Sequence, residues 1–265
     1  MMNLQIKKKG DSSPLVQPLS GYLTITLLFA LSCNLQTKPG GNIAETSVTA
    51  DSSRTQTFQE LGFFGDIKRD KWDSFLVAVQ HNIVNSRKEP GNLSFSLYLP
   101  ENGMPQPIWF ERFKTKADHD EHKKQQYFKD AIRIIGQSLE SEAHAITLKE
   151  ITGIPARVPA STEEPRTARY GIRLFAVRPE TRQEVLDALA TLTRASMQSP
   201  GNLECNSYEY ADSSNRFVLI DGWKNANNQE ANEKQEDIKR ARATIESALL
   251  STAINTRLLT KDISQ

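Results

Sequence analysis

Two cysteines in a chain of 265 residues exclude a disulfide framework as the source of stability. Histidine is scarce too, at four residues, and His81, His119, His122 and His144 form no recognised ligand spacing with cysteine or carboxylates. No metal site is therefore expected. His119 and His122 stand three apart and share a helix face, but Asp118, Asp120, Glu121 and Lys123 beside them read as solvent-facing, so both are expected at the surface. A Gly-rich phosphate loop and a GxSxG elbow are both missing, which leaves nucleotide-dependent and serine-hydrolase chemistry without support. A net charge of +1 supplies no excess of Lys and Arg to neutralise phosphates, so no nucleic-acid partner is expected.

What is present begins with Lys7, Lys8 and Lys9, an apolar run over 19–31, and then Ser32 and Cys33. The run is shorter than the roughly 20 residues a membrane-spanning helix needs and suits the apolar region of an export signal. A small residue before Cys at its end resembles a bacterial lipobox, with Cys33 as the lipidated residue, although Leu31 departs from the usual pattern. A plain signal peptide with an incidental cysteine and an uncleaved anchor are the competing readings. The expected organisation is a signal over 1–33 and a Thr/Ser/Gly/Asn-rich tether over 34–56, on an exported, membrane-anchored envelope protein. Lipidation of Cys33 leaves Cys205 alone, expected as a small core residue.

Pro-Gly-Asn-Leu occurs at 90–93 and again at 200–203, 110 positions later. The same slide superposes Ala78 on Ala188, Tyr98 on Tyr208, Lys114 on Lys224, Gln125 on Gln235, Ala131 on Ala241, Ile135 on Ile245 and Leu148 on Leu258. A register this long without a gap marks a duplication of whole domains. Each copy reads as an apolar first strand (58–67 and 170–177), then a helix with apolar residues at helical spacing. The Pro-Gly pair ends that helix and launches an alternating second strand. A third strand (108–113 and 217–223), a polar helix with one apolar stripe (117–136 and 227–250) and a fourth strand (143–149 and 253–259) complete each copy. The expected fold is α+β: two ferredoxin-like β-α-β-β-α-β repeats over 57–150 and 167–260, a Pro-rich linker over 151–166 and a tail over 261–265.

These residues resemble the antibiotic-biosynthesis monooxygenase superfamily. Pro90, Gly91, Tyr98, Glu111, His122 and Phe128 match its pattern in the first copy, and Pro200, Gly201, Tyr208, Asp221 and Trp223 in the second. Phe113 and Asn232 depart from it, standing where Trp and His are usual. The resemblance implies a dimeric α/β barrel, formed here within one chain as a pseudo-dimer, with further self-association open. The apolar face carrying Phe95 and Leu97 is expected to be the one covered by the second sheet. It also implies oxygenation of a quinol- or anthrone-like aromatic without metal, flavin or other cofactor. His122, Tyr98, Tyr208, Trp109 and Trp223 are the residues it makes candidates, with a core role as the alternative for the aromatics. Haem-degrading relatives need a late-helix His, but Ile132 and Arg242 stand there. The second functional reading is a non-catalytic exported lipoprotein whose degenerate barrel binds a small apolar ligand or a protein partner.

Overall fold

The computed structural model describes residues 56–251 and 255–265. The export signal, Cys33 and nearly all of the tether lie outside the described residues. The first repeat runs β1 (Phe58–Phe63), α1 (Trp72–Ser86), β2 (Asn92–Pro100), β3 (Ile108–Phe113), α2 (Lys116–Lys124), α3 (Gln126–Ser138) and β4 (His144–Glu150). The second runs β5 (Arg169–Ala176), α4 (Arg182–Gln198), β6 (Asn202–Tyr210), β7 (Ser213–Trp223), α5 (Ala226–Glu233), α6 (Glu236–Ala248) and β8 (Thr256–Asp262).

The expected order is present twice, but each second helix is broken. In the first repeat the break falls at Gln125, whose extended backbone (φ −66°, ψ 144°) cannot continue a helix. Gln235 breaks the second in the same way (φ −70°, ψ 139°). Thr115 and Asn225 start α2 and α5 by accepting from the backbone N–H of Asp118 and Asn228. The repeated Pro-Gly turn sits beneath these helix starts. A Cβ on Gly91 would lie 2.4 Å from the Asp118 side chain, and one on Gly201 would lie 2.4 Å from Asn228. Gly201 adds a positive φ of 76°. Glycine therefore stands at both positions because a helix end is packed against the turn.

The eight strands close into one antiparallel barrel in the order β1-β3-β2-β8-β5-β7-β6-β4. A single repeat would leave β2 and β4 as open edges. Three residue pairs of β2 with β8, and three of β4 with β6, consume both, so the duplication removes the edge liability within one chain. Leu61, Tyr98, Phe110, Tyr208, Val218 and Ile220 fill the interior, and two further cores pack helices against the outside of the barrel.

Three expectations need correction. Phe95 and Leu97 pack with Phe75, Val79 and Ile83 under the helices; the barrel interior instead receives the other side of β2, including Tyr98. His119 and His122 are fully buried, because α2 turns its histidine face onto β3 and not to water. The uniform slide of 110 also fails at the ends. Gln59 and Tyr170 occupy equivalent pairing positions, as do Glu60 and Gly171, a displacement of 111. Ile146 and Leu258 pair with Leu61 and Ile172, a displacement of 112. A one-residue slip reverses which face a side chain occupies, so the shift to 111 exchanges the faces of the first strand relative to the slide, whereas 112 preserves those of the last.

Candidate active site

A cavity of about 680 Å³ opens where the barrel interior meets the segment joining the repeats. Ser94, Ser96 and Tyr98 of β2, Tyr170 of β5 and Glu204 of β6 form its inner wall, and Val158 to Thr162 with Pro165 cross its outer side. That connecting segment is held down. The Arg157 N–H donates to Asn206 Oδ1 at 2.9 Å, Asn206 Nδ2 donates to the Arg157 carbonyl at 2.9 Å, and the Ala160 N–H donates to the Leu203 carbonyl at 2.8 Å. Ile151 and Ile154 anchor its start in the core under α4 and α6. A Pro-rich stretch that reads as a spacer is in fact a wall.

Glu204 is the chemically unusual group in this cavity. It is 3% exposed, and burial pushes its carboxyl up to about 7, opposed by hydrogen bonds from Asn206 and Tyr98 and by the charge of Arg112. Tyr98 Oη donates to Glu204 Oε1 at 3.3 Å and Asn206 Nδ2 to Oε2 at 3.0 Å. Burial, reinforced by Glu204 and Asp262, holds the Tyr98 phenol well above its ordinary range, and burial and Asp262 do the same to Tyr170. The two phenol rings lie 5.1 Å apart. A poised carboxylate beside neutral phenols in a partly apolar cavity can accept a proton from a bound aromatic and keep it oriented.

The five candidate residues do not converge. Tyr98 lines the cavity; Tyr208 also faces the barrel interior, against Phe110 at 5.3 Å, but its hydroxyl is buried without a partner among the described residues. Trp109 and Trp223 lie on the opposite faces of their strands, under the helices, and His122 lies on α2, packed against Phe113. Trp109 packs against Phe64 at 4.5 Å over Gly62, where a Cβ would fall within 1.9 Å of the indole. His122 Nδ1 meets Glu89 Oε1 at 2.7 Å, and Tyr127 donates to the same oxygen. Trp223 Nε1 donates to Asp221 Oδ2 at 2.6 Å. Glu204 and Tyr170 were missed from sequence. The available signal was an acid placed between Leu203 and Cys205 in an otherwise buried strand.

Comparison with known proteins agrees with this architecture. The family described as antibiotic biosynthesis monooxygenase matches residues 62–134 and again 170–244. An uncharacterized protein of Synechocystis is 30% identical over 112 residues, 42% of this chain and 71% of the relative. Among solved structures, a provisionally named monooxygenase of Fusobacterium nucleatum is similar at TM-score 0.71 and 15% identity, over 79% of this chain and 93% of the other. A second, from Lactobacillus acidophilus, follows at 0.67 and 14%, over 79% and 94%. An anthrone oxidase-like protein follows at 0.54 and 15%, over 78% and 91%.

Proposed function

Because this chain belongs to the antibiotic biosynthesis monooxygenase family, we propose that it is a cofactor-independent monooxygenase acting on an electron-rich aromatic substrate of quinol or anthrone type. The observation that carries the reading is Glu204, a buried carboxyl titrating near 7 on the wall of a substrate-sized cavity. In this reading Glu204 removes a proton from the bound aromatic, whose anion then gives one electron to O₂. The resulting radical pair combines to form a C–O bond. The peroxide anion takes that proton back from Glu204, and loss of water from the hydroperoxide gives the carbonyl, so that for an anthrone the CH₂ and O₂ become C=O and H₂O. Tyr98 and Tyr170 orient the ring, and the connecting segment limits water. The substrate class is supported by the name of one structural neighbour, an anthrone oxidase-like protein.

Oxygen uptake by the purified full-length chain with anthrone or menadiol tests the reading, compared with buffer and with Glu204→Gln. Uptake that depends on Glu204 supports it. Absence of uptake by the wild-type chain overturns it, and saturable binding of the aromatic without uptake would favour the ligand-binding alternative.

A further inference from the structure

On the helix side of the first repeat, three potential ligands converge away from the cavity just described. Glu60 on β1 and Glu111 on β3 are direct pairing partners, and His119 of α2 lies over them. His119 Nε2 stands 3.2 Å from Glu111 Oε1. One ligand atom from each of Glu60, Glu111 and His119 falls within 4.8 Å of the others. His119 is held between Phe58, stacked at 4.2 Å, and Phe113 at 5.3 Å.

Little else in the neighbourhood satisfies this group: the Trp109 side chain and the charge of Lys123 favour the ionised form of Glu60. Among the described residues, Glu111, 4% exposed, has no hydrogen-bond partner for its Oε2, and His119, 0% exposed, has none for its Nδ1. Lys123 is exposed and makes no ion pair with either carboxylate among the described residues, while Lys116 pairs with Asp120. Two carboxylates and an imidazole brought together in a buried place repel unless a cation joins them or a proton neutralises one of them.

The second repeat satisfies the same position with neutral hydrogen-bond donors. Gly171 replaces Glu60 and Asp221 replaces Glu111, as direct pairing partners. Gln229 replaces His119 and donates to Asp221 Oδ2 at 3.1 Å, beside the 2.6 Å bond from Trp223. A Cβ on Gly171 would come within 2.5 Å of Asp221, so no side chain could reach in from this strand. The first repeat has opened that space, filled it with a second acid, and replaced both neutral donors by His119 and Phe113.

We propose that Glu60, Glu111 and His119 form a divalent transition-metal site that ties α2 to strands β1 and β3. One imidazole with two carboxylates suits Zn²⁺, a borderline ion, or the harder Mn²⁺ through its carboxylates, whereas Ca²⁺ and Mg²⁺ prefer all-oxygen shells. The 3.2 Å separation of His119 Nε2 and Glu111 Oε1 is close to the roughly 3.3 Å edge of a tetrahedron with bonds of about 2.0 Å. Half-buried Glu60 has the freedom to complete it. Three protein ligands leave a position for water or a small anion.

Calorimetric titration of the chelator-treated full-length chain with ZnCl₂ and with MnCl₂ tests the site, with MgCl₂ as control. One equivalent of Zn²⁺ or Mn²⁺ is expected to bind and to raise the thermal midpoint. Glu60→Gln and His119→Gln should each weaken binding about tenfold or more, and Co²⁺ substitution should give visible ligand-field absorption that is lost in both. Glu60→Gln changes a half-exposed side chain and keeps the test open if His119→Gln fails to fold. No binding by the wild-type chain, or binding that both folded variants leave unchanged, overturns the proposal.

Discussion

The two repeats share a backbone plan but differ in how they satisfy the same buried positions. Under the helices, Asp221 of the second repeat receives hydrogen bonds from Trp223 and Gln229, while Glu111 of the first faces Glu60 and His119 and keeps one oxygen without a partner among the described residues. Inside the barrel the asymmetry runs the other way. Tyr98 of the first repeat meets the buried carboxyl of Glu204 from the second, and the Tyr208 hydroxyl has no partner among the described residues. The difference teaches that duplication supplied a symmetric frame, within which polar groups diverged face by face. Each mouth of the barrel and each helix layer needs only its own local balance of charge and hydrogen bonds.

The largest expected effect separates the two interior tyrosines. Glu204→Gln should lower oxygen uptake on an aromatic substrate by about 10²–10⁴-fold if the carboxylate is the base. Tyr98→Phe should slow turnover and Tyr208→Phe should slow it much less, because the Tyr98 hydroxyl touches Glu204 and the cavity. Equal effects of the two Phe variants would erase the distinction. In the wild type the rate should rise with pH through about 7, the range to which burial pushes Glu204.

Stability against pH is the next largest. Burial raises the carboxyls of both Glu111 and Glu204 from 4.5 to about 7. The metal-free folded chain therefore holds protons that the unfolded chain has already released between those values. Stability is fully present below about 4.5, falls as pH rises to about 7 and then levels, by on the order of 3 kcal/mol per carboxyl. Urea unfolding at pH 5 and pH 8 measures the slope. Glu111→Gln should remove the first repeat's share, and Glu204→Gln the other.

A smaller change makes the second repeat resemble the first. Trp223→Phe copies Phe113, removes one of the two donors to Asp221, and should cost about 2 kcal/mol in denaturant unfolding. The smallest concerns the helix starts. Thr115→Ala and Asn225→Ala should each lose about 1 kcal/mol, and a clear inequality between them would show that one repeat is held more firmly by its other contacts.

The legible part of the fold was what repeats or alternates. Pro-Gly-Asn-Leu twice, the strand pattern of β2 and the apolar stripes of the helices led to the β-α-β-β-α-β order. The illegible part was the assignment of faces. Phe95 and Ser96 alternate whichever side is inward, and only the packing of α1 and α3 on β2 decides that Phe95 lies under the helices. His119 and His122 carry the same charged neighbours whether or not α2 tilts toward β3, so their burial could not be read from composition.

The amino-acid sequence alone determined the duplication, the element order and the family, because turns, periodicities and repeated positions are local properties of the chain. Tertiary structure alone decided the shifts of 111 and 112 at the first and last strands, the facing of Glu204 toward Tyr98 and the meeting of Glu60 with His119. The physical reason is that a strand offers two opposite faces at each step, and the choice between them is made by pairing with strands distant in sequence.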